Sequence, residues 1–148
     1  MPEHPPGPRS ILETVLYAPD LDSARFFYGR VIGLAVVRDI EDLGFVCRVA
    51  PGQSLLVFDP RESDKPGRGV PIHGARGPGH VALWVDEADL DAWRSRLSAH
   101  GVAIEHEQAW GDAARSLYVR DPAGNSVELI TGDIWATDPA ASPDGPGT

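Results

Sequence analysis

The sequence predicts an α+β fold in which two βαβββ modules pair into an incomplete barrel that encloses a cavity. Three observations point there. An internal repeat spans both halves, each half shows the same order of elements, and a long connection rich in Pro, Gly and charge separates them.

The repeat is read first. Residues 13–33 (ETVLYAPDLDSARFFYGRVIG) resemble residues 80–101 (HVALWVDEADLDAWRSRLSAHG). Glu13 aligns with His80, Leu16 with Leu83 and Tyr17 with Trp84. The triplet Asp20-Leu21-Asp22 aligns with Asp89-Leu90-Asp91, and Gly33 with Gly101. The last strands match as well, Ser54 to Phe58 against Ser126 to Ile130. A strand–helix–three-strand unit cannot bury its sheet alone, and two copies solve this by pairing around an approximate two-fold axis.

In the first module, residues 11–18 read as a strand ended by Pro19. Asp20 then caps a helix over 21–31, whose apolar Leu21, Ala24, Phe27, Tyr28 and Val31 keep helical spacing, and Gly33 ends it. Strands follow at about 35–39, 44–49 and 54–58, separated by turns at Glu41-Asp42 and Pro51-Gly52. Residues 59–79 form a connection long enough to be a linker or a working loop. The second module repeats the order: a strand over 80–85, a helix over 90–97 closed by Gly101, and strands over 102–105, 116–120 and 126–131. Asp121-Pro122-Ala123-Gly124-Asn125 is the turn between the last two. The organisation is therefore a tail over 1–9, a first module over 10–59, a connecting loop over 60–79, a second module over 80–132 and a tail over 133–148. The Pro- and Gly-dense tails are expected to be disordered.

Composition narrows the partners. With 13 basic and 22 acidic residues the net charge is −9, which repels phosphate backbones and argues against nucleic acid. The single Cys47 excludes an intrachain disulfide and sits in an apolar run, where it reads as a small core residue, with reactivity as the minor alternative. No signal peptide or membrane span is evident, so the expected address is the cytoplasm, without a membrane partner. No phosphate-cradling loop and no Gly-x-Ser-x-Gly elbow is present.

Three strings carry a family resemblance. ILETVLYAPDLDSARFFYGRVIGL, GPGHVALWV and RSLYVRDPAGNSVEL resemble the first-half opening, the second-half opening and the closing hairpin of the glyoxalase / bleomycin-resistance / extradiol-dioxygenase (vicinal oxygen chelate) superfamily. The resemblance covers about residues 10–132. In that superfamily each half offers two inward positions to a divalent metal. Here those positions hold Glu13, Leu56, His80 and Glu128, and leucine cannot ligate. The set of one histidine and two glutamates matches neither the four-ligand lyases nor the dioxygenases with two histidines and a glutamate. The resemblance also implies a homodimer, with modules paired within or between chains.

Strand alternation turns all three polar residues toward the cavity, because their neighbours Leu16, Val81, Leu83, Val127 and Leu129 suit the helix-covered face. Converging carboxylates need a cation, a proton or a hydrogen-bonded partner. One imidazole and two carboxylates suit Mn²⁺, Fe²⁺, Ni²⁺ or Zn²⁺. Two other readings stay open: Glu13 pairs with Arg48 or Arg120 while His80 is a core histidine, or the cavity binds its ligand without metal. His73 is a spare ligand or a plain loop residue. The same alternation nominates Tyr17, Phe58, Trp84, Tyr118, Arg120 and, more weakly, Arg48 as substrate-binding residues. The aromatics would stack on a planar ligand and Arg120 would meet an anion; the aromatics also suit a core.

The leading expectation is a metal-dependent lyase, isomerase or dioxygenase acting on a small oxygen-chelating substrate, with Glu13 and Glu128 as catalytic groups. The alternatives are a metal-free drug- or metabolite-binding protein, and a structural or regulatory protein with a vestigial site.

Overall fold

Asp20 shows how local chemistry starts the first module. In the computed structural model, which describes residues 4–136, its carboxylate accepts from the backbone N–H of Ser23 at 3.1 Å and caps helix α1, Leu21–Phe26. The chain divides between Gly77 and Pro78 into two compact units, and each is described by itself.

Unit 1 runs β1 (Glu13–Tyr17), α1, β2 (Ala35–Ile40), β3 (Gly44–Ala50), β4 (Gln53–Phe58) and a short α2 (Pro60–Ser63). Its four strands lie in the order β1-β4-β3-β2, with β1 parallel to β4 and the other pairs antiparallel. The helix expected over 21–31 is present, but its second half, Phe27–Val31, is a wider π-type turn. The Ile32 N–H reaches back five residues to the Phe27 carbonyl, and Gly33 at φ 86° lets the Leu34 N–H close onto Tyr28. Phe27 and Tyr28, adjacent in sequence, are both buried and meet edge to face at 5.0 Å. Strand alternation puts Leu16, Phe45, Cys47, Leu55 and Val57 into the core. Each such side chain contributes roughly 1.5–3 kcal/mol. Burial pushes the Cys47 thiol up to about 11, which leaves it protonated and unreactive.

Unit 2 runs β5 (His80–Trp84), a single 3₁₀ turn (Glu87–Asp89), α3 (Leu90–Ala99), β6 (His106–Trp110), β7 (Ala114–Arg120) and β8 (Ser126–Ile130). The sheet order is β5-β8-β7-β6, with β5 parallel to β8. The strand expected over 102–105 is corrected: those residues are an extended link. Val102 and Ile104 have strand composition, yet pairing to β7 starts only where the Glu105 N–H bonds the Tyr118 carbonyl. The strand itself, His-Glu-Gln-Ala-Trp, is a polar edge without apolar alternation. The Asp121–Asn125 turn is tightly bonded. Asp121 Oδ1 accepts from the N–H groups of Ala123 and Asn125, each at 2.9 Å, and Asn125 Oδ1 accepts from the Gly79 N–H at 2.8 Å. That last bond anchors the residue before His80.

The expected α+β class and the two four-stranded modules are observed. The repeat extends to register. Glu13 opposes Ser54 as His80 opposes Ser126, and Leu56 opposes Val46 as Glu128 opposes Tyr118. Residues 4–12 carry no regular structure, and the part of the expected C-terminal tail over 137–148 lies outside the described residues. Among the described residues no helix is long and apolar enough to cross a membrane.

Candidate functional site

Unit 2 gathers its chemistry on neighbouring strands of its sheet. Glu128, central on β8, has a side chain only 7% exposed. Its Oε1 accepts from Ser116 Oγ at 2.5 Å and from the Tyr118 hydroxyl at 3.0 Å, both on the neighbouring β7. Ser116 Oγ in turn accepts from Trp110 Nε1 at 2.8 Å, so a relay of donors runs from β6 into the carboxylate. Burial, the hydrogen bond to Glu128 and the charge of that carboxylate together hold the Tyr118 phenol above its ordinary 10.0.

The other oxygen, Oε2, lies 3.3 Å from His80 Nε2. The opposite ring nitrogen, Nδ1, is 3.1 Å from the Ser126 carbonyl, which can only accept. Nδ1 therefore carries hydrogen. In a neutral ring Nε2 then presents a lone pair to a carboxylate oxygen, and two acceptors this close require a cation between them, a proton or a metal ion. The donor set fits a metal: a ligating histidine ordinarily gives its second ring N–H to a carbonyl, as His80 does. His80 is 51% exposed, so the reading of a core histidine does not apply.

A cavity of about 620 Å³ opens over this pair, walled by Trp84, Trp110, Tyr118, Ile130 and Trp135. Trp84 is 68% exposed there and is not a core residue. Tyr118 stacks on His80 with ring centres 6.5 Å apart. The Arg120 guanidinium is paired with Glu105 at 2.7 Å and also donates to the Gly124 carbonyl.

The remaining predicted residues stand on unit 1. Glu13 opens β1 and, with Leu56 and Phe58, lines a cavity of about 450 Å³. The Tyr17 hydroxyl meets His73 Nδ1 at 2.5 Å, and the His73 ring stacks on Phe58 at 5.8 Å. His73 thus straps the 59–77 segment onto the sheet. Burial raises the Tyr17 phenol above its ordinary value. Arg48 lies on β3 opposite Ala35 and Ser54. Among the described residues no group of three or more His, Cys, Asp or Glu side chains is gathered closely enough to hold a metal. The structure brings His80 and Glu128 together within unit 2, whereas Glu13 belongs to unit 1.

Sequence reasoning missed Trp110 and Trp135. Trp110 lies on the misplaced strand, and Trp135 lies in a segment read as tail. Its signal was the apolar Ile134-Trp135 pair following β8 directly.

The model of the Glyoxalase/Bleomycin resistance protein/Dioxygenase superfamily matches residues 10–129. The chain belongs to this superfamily. Among solved structures, a lactoylglutathione lyase from Agrobacterium tumefaciens is 40% identical, with 89% of this chain and 100% of that chain covered and a TM-score of 0.81. Oxidase ChaP-H2 is 25% identical over 84% of this chain and 94% of that one, with a TM-score of 0.61. A glyoxalase/bleomycin resistance protein/dioxygenase from Nocardioides, 21% identical over 98% and 91% at a TM-score of 0.68, shares the fold. No curated protein matches the chain. Superfamily membership accounts for the duplicated βαβββ module, and within it Leu56 of the first module stands where Glu128 stands in the second.

Proposed function

We propose that this superfamily member is a metal-dependent enzyme of the lyase or isomerase type, acting on a small organic substrate that chelates through two oxygens. The observation that supports the reading is the His80–Glu128 pair, Nε2 and Oε2 3.3 Å apart with the opposite ring nitrogen turned to the Ser126 carbonyl. His80 and Glu128 would hold a divalent ion, Fe²⁺, Mn²⁺, Ni²⁺ or Zn²⁺, with Glu13 as the third ligand that the family resemblance supplies. When bound, the metal provides Lewis-acid polarisation of the substrate oxygens.

The chain's own residues divide the remaining work. Ser116 and Tyr118 both donate to Glu128 and fix its orientation, which suits an anchoring role. The Glu13 carboxylate has no such donors among the described residues and is assigned the proton transfer at carbon beside the carbonyl. Trp84, Trp110 and Trp135 wall the cavity and would stack on the organic part of the substrate. The similarity to the Agrobacterium lactoylglutathione lyase supports this branch. Glutamate at position 13, where the dioxygenase pattern has histidine, weakens the dioxygenase branch. The proposal includes a homodimer, supported by the same family resemblance.

The test is metal analysis and turnover of tag-free protein. The expected result is about one divalent ion per chain, reduced by His80→Ala and Glu128→Gln, with proton exchange on a 2-hydroxy-ketone lost in Glu13→Gln. Protein that carries no metal and binds none on titration overturns it. A second reading, metal-free capture of a planar drug-like molecule, is favoured by the exposed tryptophans. It predicts quenching of tryptophan fluorescence by such a molecule at equal affinity with and without chelator.

A further inference from the structure

Trp110 has two attachments. Its ring walls the cavity of unit 2, and its indole N–H donates to Ser116 Oγ at 2.8 Å. Local structure explains the reach. Trp110 ends β6, and the Ala113 N–H bonds back to its carbonyl across a tight turn in which Gly111 has φ 57°. In the β6–β7 ladder Trp110 opposes Ala114, while Gln108 opposes Ser116. The indole therefore spans the diagonal to a residue two beyond its direct partner and on the same face.

The direction of each hydrogen bond follows from what its groups can give. An indole N–H only donates, so Ser116 Oγ accepts from Trp110. The single hydroxyl hydrogen of Ser116 is then left for Glu128 Oε1, at 2.5 Å. Tyr118 adds a second donor to the same oxygen at 3.0 Å. The two carboxylate oxygens are thereby set apart. Oε1 is occupied twice from β7, and Oε2 faces His80 Nε2 at 3.3 Å. A carboxylate with both oxygens free can grip one cation with the two together. With Oε1 held by two donors, Glu128 has only Oε2 to offer.

We propose that Trp110 is a positioning residue, acting through Ser116 to make Glu128 a one-oxygen ligand. The inference rests on the metal reading above and deepens it. A one-oxygen carboxylate leaves one more coordination position to exchangeable water, and a substrate that chelates through two oxygens needs such positions. Without the indole N–H, Ser116 is free to turn its hydrogen away, and Tyr118 alone stays on Oε1. The second oxygen then swings onto the ion and takes a place that water held.

Water-proton relaxation of the full chain loaded with Mn²⁺ counts the waters on the ion and tests this. Trp110→Phe keeps an aromatic wall and removes the N–H. It is expected to cost one exchangeable water per ion, as is Ser116→Ala. The double variant loses no more than Ser116→Ala alone, because Trp110 acts through that hydroxyl. A ring that merely walled the cavity would leave the count unchanged or, made smaller, admit water and raise it. A second arm needs no variant: in crystals of the parent with Mn²⁺, Oε2 alone reaches the ion and Oε1 stays with Ser116 and Tyr118. A parent that binds no Mn²⁺ on titration overturns the metal reading, and this inference with it. A parent that binds Mn²⁺ with both oxygens of Glu128, or a Trp110→Phe variant with an unchanged or higher water count, overturns this inference alone.

Discussion

His80 sets Nδ1 3.1 Å from the Ser126 carbonyl and Nε2 3.3 Å from Glu128 Oε2. β5 and β8 are parallel neighbours, and His80 opposes Ser126 in register. One ladder position therefore fixes both the tautomer of the imidazole and its distance from the carboxylate. The Asn125–Gly79 bond holds the chain immediately before it. The turn, the strand pair and the site are one mechanical unit.

Replacing Glu128 by leucine, the residue at the equivalent place in unit 1, tests that coupling. Ser116 Oγ and the Tyr118 hydroxyl both lose their acceptor. The expected cost is about 1–3 kcal/mol for each hydroxyl left unpaired in the interior. Glu128→Gln keeps an acceptor oxygen and is expected to stay within about 1 kcal/mol of the parent in urea denaturation.

Ser116→Ala interrupts the relay from Trp110 to Glu128. A loss of stability of about 1–3 kcal/mol is expected, with a shift of tryptophan emission as the Trp110 N–H loses its partner. Metal affinity is expected to fall by about 10- to 100-fold, the effect of removing a group that orients a ligand. Denaturant melts and metal titration measure the two separately.

Tyr118 gives the site an alkaline signature. Its folded-state pKa is raised above 10.0 by burial and by Glu128, so the folded protein retains a proton that the unfolded chain has released. The corresponding stability is present below pH 10 and is lost as pH rises through the folded value. Tyr118→Phe is expected to flatten this decline, read as Tm against pH. A bound cation that neutralises Glu128 is expected to bring the phenol down, read as ultraviolet absorbance.

At the acid end, Asp59 is held below its ordinary 3.8 chiefly by its hydrogen bonds to the Arg61 side chain, with the Arg61 N–H and nearby positive charge adding to the effect. A depressed carboxyl contributes stability that is present above its unfolded value and is lost as pH falls through the folded one. Asp59→Asn is expected to remove that part of the acid limb and to loosen the strap that α2 begins. Melts between pH 5 and 2.5 check the first effect, and proteolysis within residues 64–77 checks the second.

The fold was legible where side chains alternate against a buried face. Leu55 and Val57, Val127 and Leu129, and the helix faces of Ala24 and Leu97 all bury as periodicity requires. The repeat was legible because Glu13 and His80 open equivalent strands in equivalent register. The strand at His106–Trp110 was not, since a polar edge strand lacks apolar alternation. Nor was the π-type turn at Phe27–Val31, which leaves the spacing of Ala24, Phe27 and Val31 intact. Within the site, Glu128 and His80 were legible from strand position and family resemblance. The Ser126 carbonyl was not, because a backbone acceptor has no letter in the sequence.

The most direct test of the central claim is anomalous scattering from crystals grown with Mn²⁺. The account predicts one peak per chain, about 2.0–2.2 Å from both His80 Nε2 and Glu128 Oε2. It is contradicted if no peak appears there and the two atoms instead share a proton in direct contact.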